Sequence, residues 1–417
     1  MKKVISLVLL VAMCMCFMVG CVSSESSAPA ANDAPAANDA PAANDAPAAN
    51  DAPAADAPAA AGVFKLGSCG PITGDAAIYG QAVMNGAQIA VDEINAAGGV
   101  NGAKIEYKFE DDVADGETAV NAYNKLMDWG MQVMVGPVPT GAAISVSAKV
   151  YEERVFALTP SASSTDVTAG KDNMFQLCFA DPNQGSGSAV YMAADDTMKN
   201  AKIAVIYRND DAYSQGIRDT FVSEAAAKGL EVVYEGTFTK DTATDFSVQL
   251  TAAQAAGADL VFLPIYYQPA SVIFAQADAM GYAPTFFGVD GMDGILTMEG
   301  FDTKLAEGLM LLTPFSADAG DDLTKNFVAE YQKRHGEVPN QFAADGYDCV
   351  YAVKAALEAG KATPDMSAEE LCELLVAEFV KLSFDGLTGT AMTWSANGEV
   401  TKMPTAVVIK DGVYVTA

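Results

Sequence analysis

From residue 62 onward, short apolar runs alternate with longer stretches whose apolar residues recur every three to four positions. Val133, Met134 and Val135 form one run, and Val155, Phe156, Ala157 and Leu158 form another. Residues 141–154 between them have helical character, as a parallel βαβ unit requires. The same reading predicts strands over 64–67 and 105–109 and helices over 78–97 and 116–129. Val83, Ala87, Ala90, Val91 and Ile94 lie at helical spacing in the first helix, which Gly98 and Gly99 close. After Pro182 the pattern begins again, with strands over 201–207, 231–238, 259–263 and 285–288. Helices over 215–228, 243–256 and 270–281 separate them, and residues 389–415 change to alternating strands with turns at Asn397-Gly398 and Asp411-Gly412. Two sets of β-α repeats follow from this pattern, each a parallel sheet with helices on its faces.

In such sheets ligands bind outside the carboxyl ends of the strands. The two loops that open there around the 133–158 unit are Pro139-Thr140-Gly141-Ala142 and Pro160-Ser161-Ala162-Ser163-Ser164. Free N–H groups at a helix start, together with hydroxyls, form a receptor for a carboxylate or phosphate. Neither loop carries a charge, so dipoles would hold the anion. The same hydroxyl residues also make ordinary helix caps, and the local sequence fits both roles.

The chain has 417 residues, and the part after residue 61 exceeds what one hydrophobic core supports, so two lobes are expected. A net charge of −30 and a pI near 4.1 argue against nucleic acid and anionic membrane surfaces as partners. The first residues, with Lys2-Lys3, an apolar run and Gly20-Cys21, read as a secretory signal too short to span a membrane. Residues 23–61 contain four copies of APAAND. Their regular prolines forbid a stable helix, and the segment reads as an extended tether. With signal and tether charges removed, 48 acidic and 22 basic residues remain, so the globular part is itself acidic. His335 is the single histidine and sits in a polar segment, which leaves no His-based metal site or Ser-His pair. Cys69, Cys178, Cys349 and Cys372 remain after the signal; none forms a CxxC pair, and no bridge is assigned. Asp111-Asp112 and Asp210-Asp211 read as acidic loops of solvated surface or hinge. No catalytic residue, metal or cofactor is expected, since a GxSxG elbow and a His-bearing triad are both missing.

Several segments together carry a family likeness. GPITGDAAIYGQAVMNGAQIAVDEINAAGGVNG, the DD pair after the second strand, VGPVPTGAA and TPSAS resemble the leucine/isoleucine/valine-binding protein family. These are substrate-binding proteins of ABC importers with the class I periplasmic-binding-protein fold. The likeness extends over residues 63–415. It implies an α/β fold of two Rossmann-like lobes joined by a three-segment hinge, with a ligand cleft between them. The lobes would comprise residues 62–182 with 314–386, and 183–313 with 387–417.

Residue by residue, the resemblance puts Thr140 where the family has a hydroxyl for the ligand carboxylate. Ser161, Ala162 and Ser163 match a loop that grips the same group. Asp290 matches the acid that pairs with the ligand ammonium, and Tyr266 or Tyr267 matches an aromatic beside it. Tyr79, Tyr213 and Phe342 match cleft-lining aromatics. On the residues alone, Asp290 also suits a helix N-terminus, and the Tyr266-Tyr267 pair suits sheet packing. The segment ending in Gly20-Cys21 resembles the lipobox of bacterial lipoproteins, with Cys21 as the lipidated residue. The expectation is a monomeric, extracytoplasmic lipoprotein, bound to the membrane through its lipid only. It would capture an aliphatic or related amino acid and deliver it to ABC permease subunits. A sensor domain of the same fold, taking an amide, short peptide or other small polar metabolite, is the alternative.

Overall fold

The computed structural model describes residues 62–402 and 404–417. The expected signal, Cys21 and the expected proline-rich tether lie outside the described residues. Described residues form two large β-sheets covered by helices, and a separate two-stranded hairpin. The first sheet is built from β1 (Val63–Gly70), β2 (Lys104–Asp111), β3 (Val133–Val135), β4 (Phe156–Thr159) and β5 (Met174–Gln176). Its order is β2-β1-β3-β4-β5, and all neighbours are parallel. Helices α1 (Ala77–Ala96), α2 (Gly116–Trp129) and α3 (Thr140–Glu152) connect the first four strands.

After β5 the chain crosses into α4 (Asp181–Ala194), which lies against α5 (Ala212–Lys228) of the second lobe. There β6 (Lys202–Arg208), β7 (Glu231–Phe238), β8 (Leu260–Leu263), β9 (Thr285–Gly288) and β10 (Met310–Thr313) run parallel, joined through α6 (Ser247–Ala255) and α7 (Tyr267–Ala279). A second crossing leads to α8 (Asp322–His335), α9 (Gln341–Ala359) and α10 (Ala368–Phe379), of which α9 lies along α1 and α10 covers β4. The hairpin β11 (Phe384–Gly386) and β12 (Gly389–Met392) follows, and a third crossing reaches β13 (Thr405–Lys410) and β14 (Val413–Thr416). These last two strands join the second sheet antiparallel, giving the order β14-β13-β10-β9-β8-β6-β7.

Local chemistry sets the helix ends. Asp115, Asp211 and Asp321 cap α2, α5 and α8 by accepting from Thr118, Ser214 and Thr324 N–H, and Gly130, Gly229 and Gly336 end those helices in the left-handed region. The α1–α9 crossing needs glycine: a Cβ on Gly86 would lie 1.8 Å from the Ala343 carbonyl oxygen, and one on Gly346 would lie 2.4 Å from that of Val83. The rings of Tyr79, in the first turn of α1, and Phe342, in the first turn of α9, stand 4.6 Å apart.

Some elements differ from the sequence reading. α7 starts at Tyr267, three residues before the predicted start at 270. Pro269 does not prevent this, because the first-turn N–H groups of a helix have no internal partner and a missing donor there costs nothing. The helix predicted over 243–256 forms as α6 but begins four residues later, at Ser247, and a short 3₁₀ turn, Lys240–Thr242, precedes it. Asp112 is fully buried rather than solvated: its Oδ1 accepts from Ala114 N–H at 2.9 Å, and burial pushes its carboxyl up to about 6. All four described cysteines are buried free thiols.

Candidate ligand-binding site

Where the carboxyl ends of the two sheets face each other, a small, tightly closed cavity is lined by Tyr79, Val138, Pro139, Thr140, Ser161, Tyr213, Tyr266, Asp290, Gly291 and Phe342. Its walls have two chemically distinct poles. At one, α3 begins with Thr140 and has no side-chain cap, so its first N–H groups are unclaimed by the helix. Thr140 Oγ1 accepts the Ser164 N–H at 3.4 Å and keeps its own proton to donate. Ser161 Oγ donates to the Val138 carbonyl at 2.7 Å, and Thr159 Oγ1 donates to the Pro137 carbonyl at 2.7 Å while receiving the Ala162 N–H at 2.9 Å. These bonds brace the loop after β4 against the loop after β3. Unpaired helix N–H groups and a hydroxyl at this wall suit an anion.

The opposite pole is Asp290, in a 3₁₀ turn after β9 and only 4% exposed. Tyr213 donates to its Oδ1 at 2.6 Å, and its backbone N–H donates to Gln184 Oε1 at 3.3 Å. Burial pushes the Asp290 carboxyl up to about 6, while the Tyr213 hydrogen bond opposes that rise. The group is therefore an anion at neutral pH, and no lysine or arginine lines the cavity beside it. Between the poles stand aromatic walls: Tyr213 stacks on Tyr266 at 4.7 Å, and Tyr79 lies 5.7 Å from Tyr266.

A model of the periplasmic binding protein family matches residues 63–412. The Leu/Ile/Val-binding protein homolog 3 of Brucella melitensis is 31% identical over 316 residues, which are 74% of this chain and 83% of that one. The Leu/Ile/Val-binding protein BraC3 of Rhizobium johnstonii is 31% identical over 320 residues, 75% and 83% of the two chains. Among solved structures, the branched-chain amino acid transporter substrate-binding protein of Streptococcus pneumoniae, in complex with isoleucine, superposes with a TM-score of 0.74 at 28% identity. That superposition covers 85% of this chain and all of the other. A leucine-binding protein of Thermotoga maritima gives a TM-score of 0.76 at 24% identity, covering 85% and 98%, and shares the fold.

The chain belongs to the leucine/isoleucine/valine-binding family of periplasmic binding proteins.

In this binding protein the structure brings Thr140, Ser161, Tyr213, Tyr266, Asp290, Tyr79 and Phe342 to one cavity. Ala162 and Ser163 are fully buried behind Ser161, and the Gln176 Nε2 holds their loop through the Ala162 carbonyl at 2.7 Å. Tyr266 lines the cavity, whereas Tyr267 is buried with its ring 4.9 Å from that of Tyr79 and edge-on to it. Neither expected alternative for this pair describes it fully, because the two rings divide between cavity wall and core. Gln184 and Gln341 went unremarked in the sequence, yet both hold Asp290: the Gln341 Nε2 donates to the Asp290 carbonyl at 2.7 Å. A lone glutamine at the start of a helix gives no periodic or motif signal that would have found it. Among the described residues, no group of three His, Cys, Asp or Glu side chains could hold a metal ion. No described helix is long and apolar enough to cross a membrane.

Proposed function

We propose that this binding protein captures a small aliphatic amino acid between its lobes and delivers it to the permease subunits of an ABC importer. The observation that carries the reading is the pairing of two poles on one small cavity. The α3 N-terminus with Thr140 suits a carboxylate, and buried Asp290 suits an ammonium. A zwitterion needs N–H and O–H donors at one end and a fixed anion at the other, and the aromatic walls present apolar surface between them. The bound isoleucine of the Streptococcus pneumoniae structure supports the same class of ligand. The proposed lobes are residues 62–182 with 314–386, and 183–313 with 387–417, closing on the ligand by hinge motion. The proposed membrane attachment is a lipid on Cys21, with residues 21–61 as the tether that lets a monomeric receptor reach its permease. Native mass spectrometry of the purified protein, followed by calorimetry with the proteinogenic L-amino acids, tests the reading. An aliphatic amino acid is expected to co-purify or to displace what does. A co-purifying ligand that lacks an ammonium, undisplaced by any amino acid, would end it.

A further inference from the structure

The first N–H of a helix has no partner inside its own helix. In α7 that donor belongs to Tyr267, and it is satisfied from the other lobe: it donates to the Tyr79 hydroxyl at 3.2 Å. The same hydroxyl donates its proton to the Gly291 carbonyl. Tyr79 stands in the first turn of α1 on the first lobe, whereas Tyr267 and Gly291 belong to the second. The Tyr79 hydroxyl is thus engaged twice by the opposing lobe while its ring faces the cavity. The Gly291 peptide is gripped on both sides, since its N–H donates to the Tyr213 oxygen at 3.0 Å and Tyr213 in turn donates to Asp290.

A second grip on the same loop comes from the start of α9. The Gln341 N–H donates to Asp293 Oδ2 at 2.8 Å, and its Nε2 donates to the Asp290 carbonyl. Gln341 Oε1 accepts from Thr313 Oγ1 at 3.1 Å, at the end of β10 where the chain crosses between lobes. The Gln341 grip therefore ties the Asp290 loop to a crossing, and the Tyr79 grip ties it to α1 across the cavity. Rotation about the crossings would carry α1 away from this loop and the α7 start, parting the Tyr79 bonds.

We infer that Tyr79 is an interlobe latch. Its hydroxyl holds the Asp290-bearing loop and the α7 start against the first lobe without any ligand atom, and so sets how long the cleft stays closed. Its ring acts separately, as a cavity wall. The inference rests on the proposed amino-acid reading only for the ligand used in its second test.

Tyr79→Phe removes the latch and keeps the ring. The first test is amide exchange, read residue by residue by nuclear magnetic resonance on the full chain without ligand. The Tyr267 N–H is expected to exchange at least about tenfold faster in Tyr79→Phe than in wild type. Equal rates in the two proteins would overturn the latch. Within the wild type alone, Tyr267 N–H should exchange more slowly than that of Gln268, the next donor on the same turn, so the proposal is testable even where the variant folds poorly; equal rates there also count against it. The second test is stopped-flow binding of L-isoleucine. The dissociation rate should rise roughly five- to a hundredfold, as for two lost hydrogen bonds, with association changed by less than about twofold. A loss carried by the association rate would overturn the latch. If wild type binds no amino acid while Tyr267 protection still depends on the hydroxyl, the latch stands and the amino-acid reading fails.

Discussion

The Tyr213 hydroxyl donates to Asp290 Oδ1 at 2.6 Å, within a site where neither residue is more than 4% exposed. A carboxylate taken out of water rises in pKa, and a hydrogen bond to its charged form pulls it back. The outcome at Asp290 is a carboxyl at about 6, high enough to register burial and low enough to stay ionised at neutral pH. The Tyr266 ring stacks on Tyr213, with ring centroids 4.7 Å apart.

Asp290→Ala should weaken amino-acid binding by roughly thirtyfold or more. Removing one partner of a desolvated charge pair costs about 2–5 kcal/mol, at about 1.4 kcal/mol per tenfold. Thr140→Val should cost less, about 1–3 kcal/mol for one hydrogen bond to a charged group. Calorimetry on both variants, with circular dichroism to confirm folding, checks the ranking. An Asp290→Ala variant that binds like wild type removes the ammonium from the proposed ligand.

Affinity for a zwitterion should be flat above pH 7 and fall as pH drops through about 6, because protons then compete with the ammonium for Asp290. In Tyr213→Phe the bond that lowers the Asp290 pKa is gone, so the fall should begin at a higher pH. Binding isotherms from pH 5 to 8 on both proteins measure the displacement. Coincident curves would show that Tyr213 does not tune this carboxylate.

Without ligand, the protein should be more stable near pH 5 than near pH 7.5. Asp112, Asp290 and Asp293 are raised by burial to about 6, and Asp345 by burial to about 7. Between the ordinary carboxylate range and those values the folded chain binds more protons than the unfolded chain, so stability rises as pH falls through that window. Below it the trend reverses, because cap hydrogen bonds from Thr118 and Thr324 hold Asp115 and Asp321 below their ordinary values. Calorimetric melting temperatures across pH 4 to 8 test the sign.

Lys402→Met should destabilise the protein by about 3–5 kcal/mol. The Lys402 side chain is 1% exposed, and its ammonium bonds Asp345 Oδ1 at 3.2 Å, Thr388 Oγ1 at 2.6 Å and the Leu177 carbonyl at 3.1 Å. Its loss leaves a buried carboxylate without a cation. Adding Asp345→Leu should restore most of the stability, since replacing a whole buried pair by apolar groups is close to neutral. Denaturant midpoints of the single and double variants decide this, and a double variant no better than the single one refutes the pairing.

Cys21→Ala should move the protein from the membrane fraction to the soluble one and leave ligand affinity unchanged. Cell fractionation with immunodetection is sufficient. A variant that remains with the membrane excludes the lipid anchor.

Much of the architecture is local information, and the sequence by itself determined it. Strand period, helix period and the Gly-Pro-rich turns after β3 and β4 depend on neighbours within a few residues, so the order of β-α units can be read from the chain alone. The same locality placed Thr140 and Ser161 on loops at one sheet edge, as a βαβ unit must. Asp290 was legible only through family likeness, since one aspartate after a strand is chemically unremarkable. Tertiary structure alone decided which of Tyr266 and Tyr267 faces the cavity. Tyr266 is the extended residue just before α7 and Tyr267 the first helical one, so the change of backbone conformation between them sends the two rings to different places. It alone decided that Asp112 is buried and that Lys402 meets Asp345 across 57 residues of sequence. And it alone carried Tyr79, 188 residues before Tyr267, to an N–H that α7 cannot satisfy for itself. Such bonds depend on how two lobes meet in space, and no spacing along the chain encodes that distance.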